Sequence, residues 1–271
     1  MTLLRSLALL VALAPAASGA PAEEGPAPAR EPSAAPEPVR HPARDDGRRT
    51  MHLLPANLLH GAVGVVSPVN FPLLLAGGMA TASASFLDEN TREAATNQLG
   101  WSDTFETAGG PLYSTVFVAG MFTAGRFTNS RRFRAMTYDM LDAAVVNFTY
   151  TEILKLAVGR ERPNGQDNKS FPSGHTSNAF AMASVVQQHY GWKIGVPAYA
   201  LAGLMGASRI HQDKHWLSDV VAGAGLGLIV GRTVARVNGR SLERVASRGA
   251  TLSVVPIVAR HARGMQMSVI F

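Results

Sequence analysis

The sequence contains no cysteine among its 271 residues, which excludes disulfide bonds, thiolate metal sites and thiol nucleophiles. Charge is also scarce: 16% of the residues are charged, against about 25% in ordinary soluble domains. One region, residues 51–87, has no Asp, Glu, Lys or Arg at all. With 46% hydrophobic residues, the balance is typical of a helical protein with much buried surface, or of one that contacts a membrane.

The charge that is present is mainly positive. There are 25 Lys and Arg against 19 Asp and Glu, which gives a formal net charge of +6. A basic excess favours anionic partners such as phosphate esters, lipid headgroups or nucleic acid. Five arginines recur every four residues near the C-terminus and form either a solvated basic helix or a contact with anionic headgroups: Arg232, Arg236, Arg240, Arg244 and Arg248.

The composition divides the chain into four parts. Residues 1–20 have an early arginine, an apolar run and small residues before Ala20, the pattern of a signal peptide that exports a protein to the periplasm. Residues 21–50 are rich in Pro, Ala and charge and are predicted to be a disordered linker. Residues 51–240 form the predicted helical domain. The tail, residues 241–271, has two β-branched runs, 251–259 and 265–271, and is predicted to form a short hairpin with Gly264 in its turn.

Hydrophobic periodicity predicts helices over most of the central domain. Residues 51–87 are interrupted by prolines and predict one or two helices, and residues 88–106 predict a short helix and a loop. Further helical patterns lie at 111–126, 132–158, 175–190, 194–210 and 216–237. The predicted fold class is all-α, a bundle of about six helices followed by the short C-terminal β-hairpin.

A polar stretch, Phe-Pro-Ser-Gly-His at residues 171–175, interrupts the apolar segments. Pro172 favours a turn or a helix start, and Ser173 is a good N-cap residue. Gly174 allows a ligand close to its backbone, and His175 adds a titratable imidazole. The stretch predicts a helix N-terminus whose free N–H groups face an anion, with an ordinary capped helix as the alternative.

Cations precede this stretch. Lys155 lies seven residues before Arg162, nearly two helical turns, so the two share a face if the helix continues. Together with Arg160 they place like charges close together, which is unfavourable without an anion. The alternative is a solvated basic helix end favoured by the helix dipole.

A second histidine follows it. His215 and Asp219 are four residues apart on a predicted helix, so the carboxylate is expected to accept the Nδ1–H of the imidazole and leave Nε2 unprotonated. Arg209 lies six residues before His215 and adds a planar fork that suits an oxyanion. A lone His/Asp pair is commonly a surface contact. In combination, however, the three segments predict a phosphate site with a nucleophile and an acid.

The three segments resemble the three-part signature of the type 2 phosphatidic acid phosphatase (PAP2) and haloperoxidase superfamily. They are Lys155-x6-Arg162-Pro163, Pro172-Ser173-Gly174-His175 and Ser208-Arg209-x5-His215-x3-Asp219, and together they span residues 155–219. The resemblance implies a helical core like that of the PAP2 and acid phosphatases over residues 51–240.

The resemblance also implies residue roles. His215 would attack phosphorus to form a phosphohistidine, with Asp219 orienting its ring. His175 would protonate the leaving alcohol and then activate water. Phosphate oxygens would be held by the remaining matched positions, with no metal and no cofactor: Lys155, Arg162, Ser173, Gly174 and Arg209.

The implied activity is that of a phosphatase acting on phosphate monoesters or diphosphates. Candidate substrates are phosphatidate, phosphatidylglycerol phosphate, an isoprenyl diphosphate, a lipid A phosphate or a soluble ester, whereas nucleic acid is not expected. Within the same superfamily, a vanadium-dependent haloperoxidase is the alternative, and a binding protein that uses its C-terminal hairpin is the non-enzymatic one. The expected location is the periplasm, either membrane-associated or integral to the membrane.

Overall fold

The computed structural model describes residues 49–95, 111–239, 251–259 and 262–270. The predicted signal peptide and all but the last two residues of the predicted linker lie outside the described residues. The helices are α1 Leu54–Val65, α2 Phe71–Ser85, α3 Asp88–Ala95, α4 Pro111–Phe127, α5 Arg131–Val158, α6 Gly174–Tyr190, α7 Trp192–His211 and α8 Leu217–Asn238. Short 3₁₀ turns at Met51–Leu53 and Pro68–Asn70 precede α1 and α2.

The predicted helix number is wrong. The described residues hold eight α-helices instead of about six. The charge-free region 51–87 forms two helices, because the turn that begins at Pro68 ends the first of them. The polar stretch that follows forms a helix of its own, α3, whose first turn carries Asp88 and Glu89.

The predicted form of the C-terminal hairpin is also wrong. Strands Thr251–Ala259 and Ala262–Ile270 (β1 and β2) pair antiparallel. Gly264 pairs with Ile257 inside β2 and is not part of the turn, and each strand has nine residues. The prediction was wrong because glycine suits a turn but is also tolerated within a strand.

The helical core is organised around α8, which packs closely on α6. Glycines recur every four residues along the contact, at Gly223, Gly227 and Gly231. A Cβ atom at Gly227 would lie 2.2 Å from the Ser177 carbonyl oxygen, so only glycine allows this approach. The close packing places the N-termini of α6 and α8 side by side, where the Ser173 N–H donates to the Asp219 carbonyl at 3.0 Å.

A buried polar cluster around Asp139 holds the start of the described chain against α5, near the C-terminal ends of α6 and α8. Arg49 donates two hydrogen bonds to Asp139, at 2.9 and 2.8 Å. His189 and Asn238 contact the same carboxylate at 2.8 and 3.0 Å. Arg49, which the sequence assigned to the linker, is therefore held by the bundle.

By length and composition, one described helix, α8, could cross a membrane. Of the 18-residue apolar stretch that meets this criterion, 44% is buried in the bundle. The segments Met51–Val65 and Pro68–Ser85, bent by 49° at their break, meet the same criterion as a pair. A buried core helix of a soluble protein also passes this test, so membrane contact has to be argued from the surface.

Candidate active site

The sequence-predicted site residues meet at one end of the bundle. They lie at the C-terminus of α5 and in the loop after it, at the N-terminus of α6, at the C-terminus of α7, which carries Arg209, and in the turn into α8 and its first residues. Ser130 caps the start of α5 by accepting from the Phe133 N–H at 3.3 Å. Gly159, at φ 58°, ends that helix in the left-handed conformation that glycine adopts without strain. The chain then turns away just after Lys155.

His215 is buried, with 4% of its surface exposed, and both ring nitrogens have neighbours. Nδ1 lies 2.7 Å from the Ser170 carbonyl oxygen, and Nε2 lies 3.2 Å from Arg162 Nη1. A carbonyl only accepts and a guanidinium only donates, so Nδ1 carries the proton and Nε2 presents its lone pair. Burial lowers the pKa of His215, and so do the charges of Arg162 and Arg209, which also favours the neutral ring.

The spacing predicted that Asp219 accepts the imidazole Nδ1–H directly. In the structure it does not. Its Oδ2 lies 3.7 Å from His215 Nδ1, beyond hydrogen-bond distance, and the Ser170 carbonyl occupies that role. Instead, Asp219 accepts from the Ser170 hydroxyl and from the Trp216 N–H at 2.9 Å, so it caps α8. The carboxylate thus holds the residue that orients the ring.

Asp219 is ionised although it is fully buried. Burial acts to raise its pKa, but the interactions with His215, Ser170, the Trp216 N–H and Arg160 outweigh it and lower the pKa. Arg160 Nη1 donates to Asp219 Oδ1 at 2.9 Å and to the Ser218 hydroxyl at 2.6 Å. Arg160 is therefore committed to the carboxylate and is not one of the phosphate-binding cations.

Two polar residues that contact Asp219 or Arg160 were not predicted from the sequence, Ser170 and Asp88. Ser170 lies in the loop before α6, and nothing in its local sequence marks it. Asp88, the first residue of α3, accepts from Arg160 Nη2 at 2.8 Å and from the Ser218 backbone N–H at 2.9 Å. Asp88 did carry a sequence signal, because it is the first charged residue after a charge-free region. In the structure it is 5% exposed.

The predicted phosphate-binding cations surround the two histidines. Arg162 donates from Nε to Asp167 at 2.7 Å and from Nη1 to the Lys214 carbonyl at 2.9 Å, which fixes its fork beside His215. Arg209 is 1% exposed, and its pKa is lowered to about 10 by burial and by the charge of Arg162. Lys155 pairs with Glu152 at 3.1 Å.

Ser173 and Gly174 form the start of α6, as predicted. Ser173 is fully buried, and its hydroxyl shares a hydrogen bond of 2.9 Å with the Thr176 hydroxyl. Gly174 faces Lys155: a Cβ atom there would lie 3.5 Å from the lysine Nζ. The first peptide N–H groups of α6 and the ammonium group therefore lie together, and both favour an anion.

His175 lies among these cations. Its pKa is lowered to about 3, first by burial and then by the charges of Arg209, His215, Lys155 and Arg162. Burial and the neighbouring positive charges thus both favour the neutral imidazole. A bound dianion would offset that charge and raise the pKa of His175 toward the range of a working acid.

On a helical bundle, the structure thus places the positive charges of Lys155, Arg162 and Arg209 around His175. The Nε2 lone pair of His215 faces Arg162. Comparison with known families identifies the same family that the three sequence segments resemble. The profile described as "PAP2 superfamily" matches residues 138–242, which include all of the sequence-predicted site residues. Over these 105 of its 271 residues, the chain is similar to the PAP2 superfamily.

Curated relatives carry phosphatase names. The chain is 44% identical over 80 residues to the lipid A 1-phosphatase of Porphyromonas gingivalis, across 28% of this chain and 18% of that protein. It is 38% identical over 64 residues to the lipid A 4'-phosphatase of Helicobacter pylori, across 24% and 32% of the two chains. The matched segments thus span less than a third of either relative's length.

A solved structure is also similar. The transmembrane PAP2-type phosphatidylglycerolphosphate phosphatase of Bacillus subtilis superimposes with a TM-score of 0.48 at 20% identity. The superposition covers 67% of this chain and 92% of that one.

Proposed function

We propose that this protein is a phosphatase that hydrolyses phosphorylated lipids through a covalent intermediate on His215. One observation carries the proposal: the Nε2 lone pair of His215 lies beside the Arg162 guanidinium, with Lys155 and Arg209 close by. Phosphoryl transfer depends mainly on positioning and on stabilising negative charge, and this site supplies both.

The proposed reaction has two steps. In the first, Nε2 of His215 attacks phosphorus, the P–O bond to the alcohol breaks, and the proton of His175 passes to the leaving oxygen. In the second, His175 accepts a proton from water, the water oxygen attacks phosphorus, and the N–P bond breaks to release phosphate. Lys155, Arg162 and Arg209 neutralise the non-bridging oxygens throughout, joined by the N–H groups at the start of α6.

The protonation states of His175 and His215 before substrate binds support this order. His175 is neutral in the empty site because its pKa is about 3, so it becomes an acid only when a phosphate dianion offsets the surrounding cations. The mechanism thus couples proton uptake to substrate binding. His215 is already in the tautomer that attack requires, with its proton on Nδ1.

A phosphorylated lipid is the proposed substrate class, and lipid A phosphates and phosphatidylglycerol phosphate are its leading members. Large apolar side chains are exposed on several helices, including Leu59 and Val63 of α1, Met79 of α2 and Leu201 of α7. Such surface is unfavourable in water and suits contact with lipid. The named relatives act on lipid A, which favours the same class here.

We also propose a membrane-associated location on the periplasmic side. The apolar surface supports association with a membrane. The N-terminal sequence supports export, because residues 1–20 have the charge and apolar pattern of a signal peptide.

The test is phosphate release by the purified protein from a panel of phosphorylated lipids and soluble esters. We expect activity that vanadate inhibits and that falls at least a thousandfold in H215A, whereas H60A, which changes an exposed histidine, retains it. Equal activity in H215A would overturn the proposal. Bromination of a dye by the vanadate-loaded protein with peroxide and bromide, without phosphate release, would show the haloperoxidase alternative.

A further inference from the structure

A second, separate groove runs along the helices away from the catalytic histidines. It has a volume of about 670 Å³, within the range of small-molecule sites, and is bounded by α2, α6, α7 and α8. On α8 it extends from Val221 to Arg236, which is about 22 Å at the rise of an α-helix. Its walls are mainly small and aliphatic, with Leu73, Ala76 and Leu228 among them.

One end of this groove is cationic. Arg232 and Arg236 are four residues apart on α8 and both line it, together with Gln188 and Trp192. Within the part of the chain that the structure describes, no Asp or Glu lines the groove, and neither arginine forms an ion pair. The Nε atom of Arg232 is buried without a hydrogen-bond partner.

These two cations are poorly compensated. Burial lowers the pKa of Arg236, and the neighbouring charge of Arg232 lowers it further. Their position near the C-terminus of α8 is favourable for positive charge, but the helix dipole supplies only about half an elementary charge. A buried donor without a partner is unfavourable, which applies to Arg232 Nε, whereas Arg236 is exposed at the mouth of the groove. The two adjacent positive charges are suited to an added anion.

We propose that this groove binds a phospholipid with an anionic headgroup, its phosphate at Arg232 and Arg236 and an acyl chain along the apolar walls. Both features are needed for this assignment. A free anion would leave the apolar length uncovered, and a zwitterionic lipid would bring its own cation beside its phosphate and so add no net negative charge. The proposed phosphate position is distant from the catalytic one, since Arg232 is 13 residues after Asp219 on α8, about 20 Å at the rise of an α-helix.

The apolar length fits this occupant. Half of the hydrocarbon core of a bilayer is about 15 Å thick, and a groove of about 22 Å accommodates one acyl chain and leaves room for the headgroup. The exposed indole of Trp192 lies beside the cationic end, a position that tryptophan favours where apolar and polar surroundings meet.

The test uses the purified full-length protein in detergent and the fluorescence of Trp192. Phosphatidylglycerol with brominated acyl chains quenches a tryptophan that it contacts, and its phosphodiester is not a phosphomonoester substrate. We expect saturable quenching in the wild type, at a half-saturating concentration at least tenfold below that of brominated phosphatidylcholine. The R232Q/R236Q variant should lose this preference, and R131Q, which removes an exposed arginine at the start of α5, should keep it.

Two further arms complete the test. G77L fills the groove, since a Cβ atom at Gly77 meets nothing within 4 Å, and we expect it to abolish saturable quenching. Phosphate release from a soluble ester shows that each variant is folded. Equal quenching by the two lipids, an unchanged R232Q/R236Q variant, undiminished quenching in W192F, or full displacement by inorganic phosphate would each overturn the proposal.

Discussion

At the scale of single residues, the imidazole of His215, the proposed nucleophile, is oriented by a peptide carbonyl, and the Asp219 carboxylate acts on it only through Ser170. Asp219 accepts from the Ser170 hydroxyl, and the Ser170 carbonyl accepts from His215. The i,i+4 spacing of His215 and Asp219 correctly predicted that they are neighbours. It could not predict Ser170, because the loop that carries it reaches the pair only in the folded chain.

Ser170→Ala tests this arrangement, because it removes the hydroxyl and keeps the carbonyl. The lost hydrogen bond to a buried carboxylate raises the pKa of Asp219 and loosens the loop. We expect kcat to fall by about tenfold, the equivalent of about 1.4 kcal/mol, with little change in KM. Ser208→Ala is the matched control, since among the described residues that buried hydroxyl bonds to the Met205 carbonyl alone, at 2.7 Å. Equal effects of the two substitutions would contradict the assigned role.

His175 gives the protein a pH dependence whose sign is fixed. In the unfolded chain its imidazole takes up a proton near pH 6.5, whereas in the folded site the pKa is about 3. Between these values the unfolded state binds more protons, so stability is fully present above pH 6.5 and is lost as the pH falls. We expect the melting temperature of H175Q to fall less than that of the wild type between pH 7 and pH 5. Identical decreases would show that His175 is not buried among cations.

At the scale of the elements, the short helix α3 supports the site through one carboxylate. Asp88 contacts Arg160 and Ser218, and Arg160 in turn contacts Asp219, so two carboxylates share one guanidinium. The helix that carries Asp88 was predicted, but its contact with α8 was not. Helix ends were more predictable, because Ser130 and Gly159 are local signals that act within one turn of the chain.

Asp88→Asn and Asp219→Asn separate support from catalysis. Both substitutions remove one charge next to Arg160, which is 30% exposed and keeps its other carboxylate, so we expect each to destabilise by about 1–3 kcal/mol. We expect both variants to melt at a lower temperature. Only Asp219→Asn should also reduce kcat by more than tenfold, because only Asp219 holds Ser170. A loss of kcat in D88N as large as that in D219N would contradict this division.

At the scale of the whole molecule, the exposed apolar surface is the dominant feature. Hydrophobic content predicted either a large core or membrane contact, and the sequence alone could not separate them. The structure leaves Phe71 of α2 and Phe148 and Leu156 of α5 more than 60% exposed. The helix number and the form of the tail depended on how segments pack, which periodicity does not report.

Partition between Triton X-114 and water tests this surface. We expect the protein to enter the detergent phase, because its exposed Leu, Val, Met and Phe side chains are more stable in an apolar medium. Substituting Phe148 and Leu156 with Ser should move part of the protein into water without lowering its activity on a soluble ester. Recovery of the wild type in the aqueous phase would contradict membrane association.

The most direct measurement of the central claim is to trap the covalent intermediate. Protein mixed with a ³²P-labelled lipid phosphate and quenched in alkali should carry label that is stable in base, labile in acid and located by mass spectrometry on His215. The label should be absent from H215A. Rapid phosphate release with no trapped label on residue 215, or label on another residue, would contradict the account.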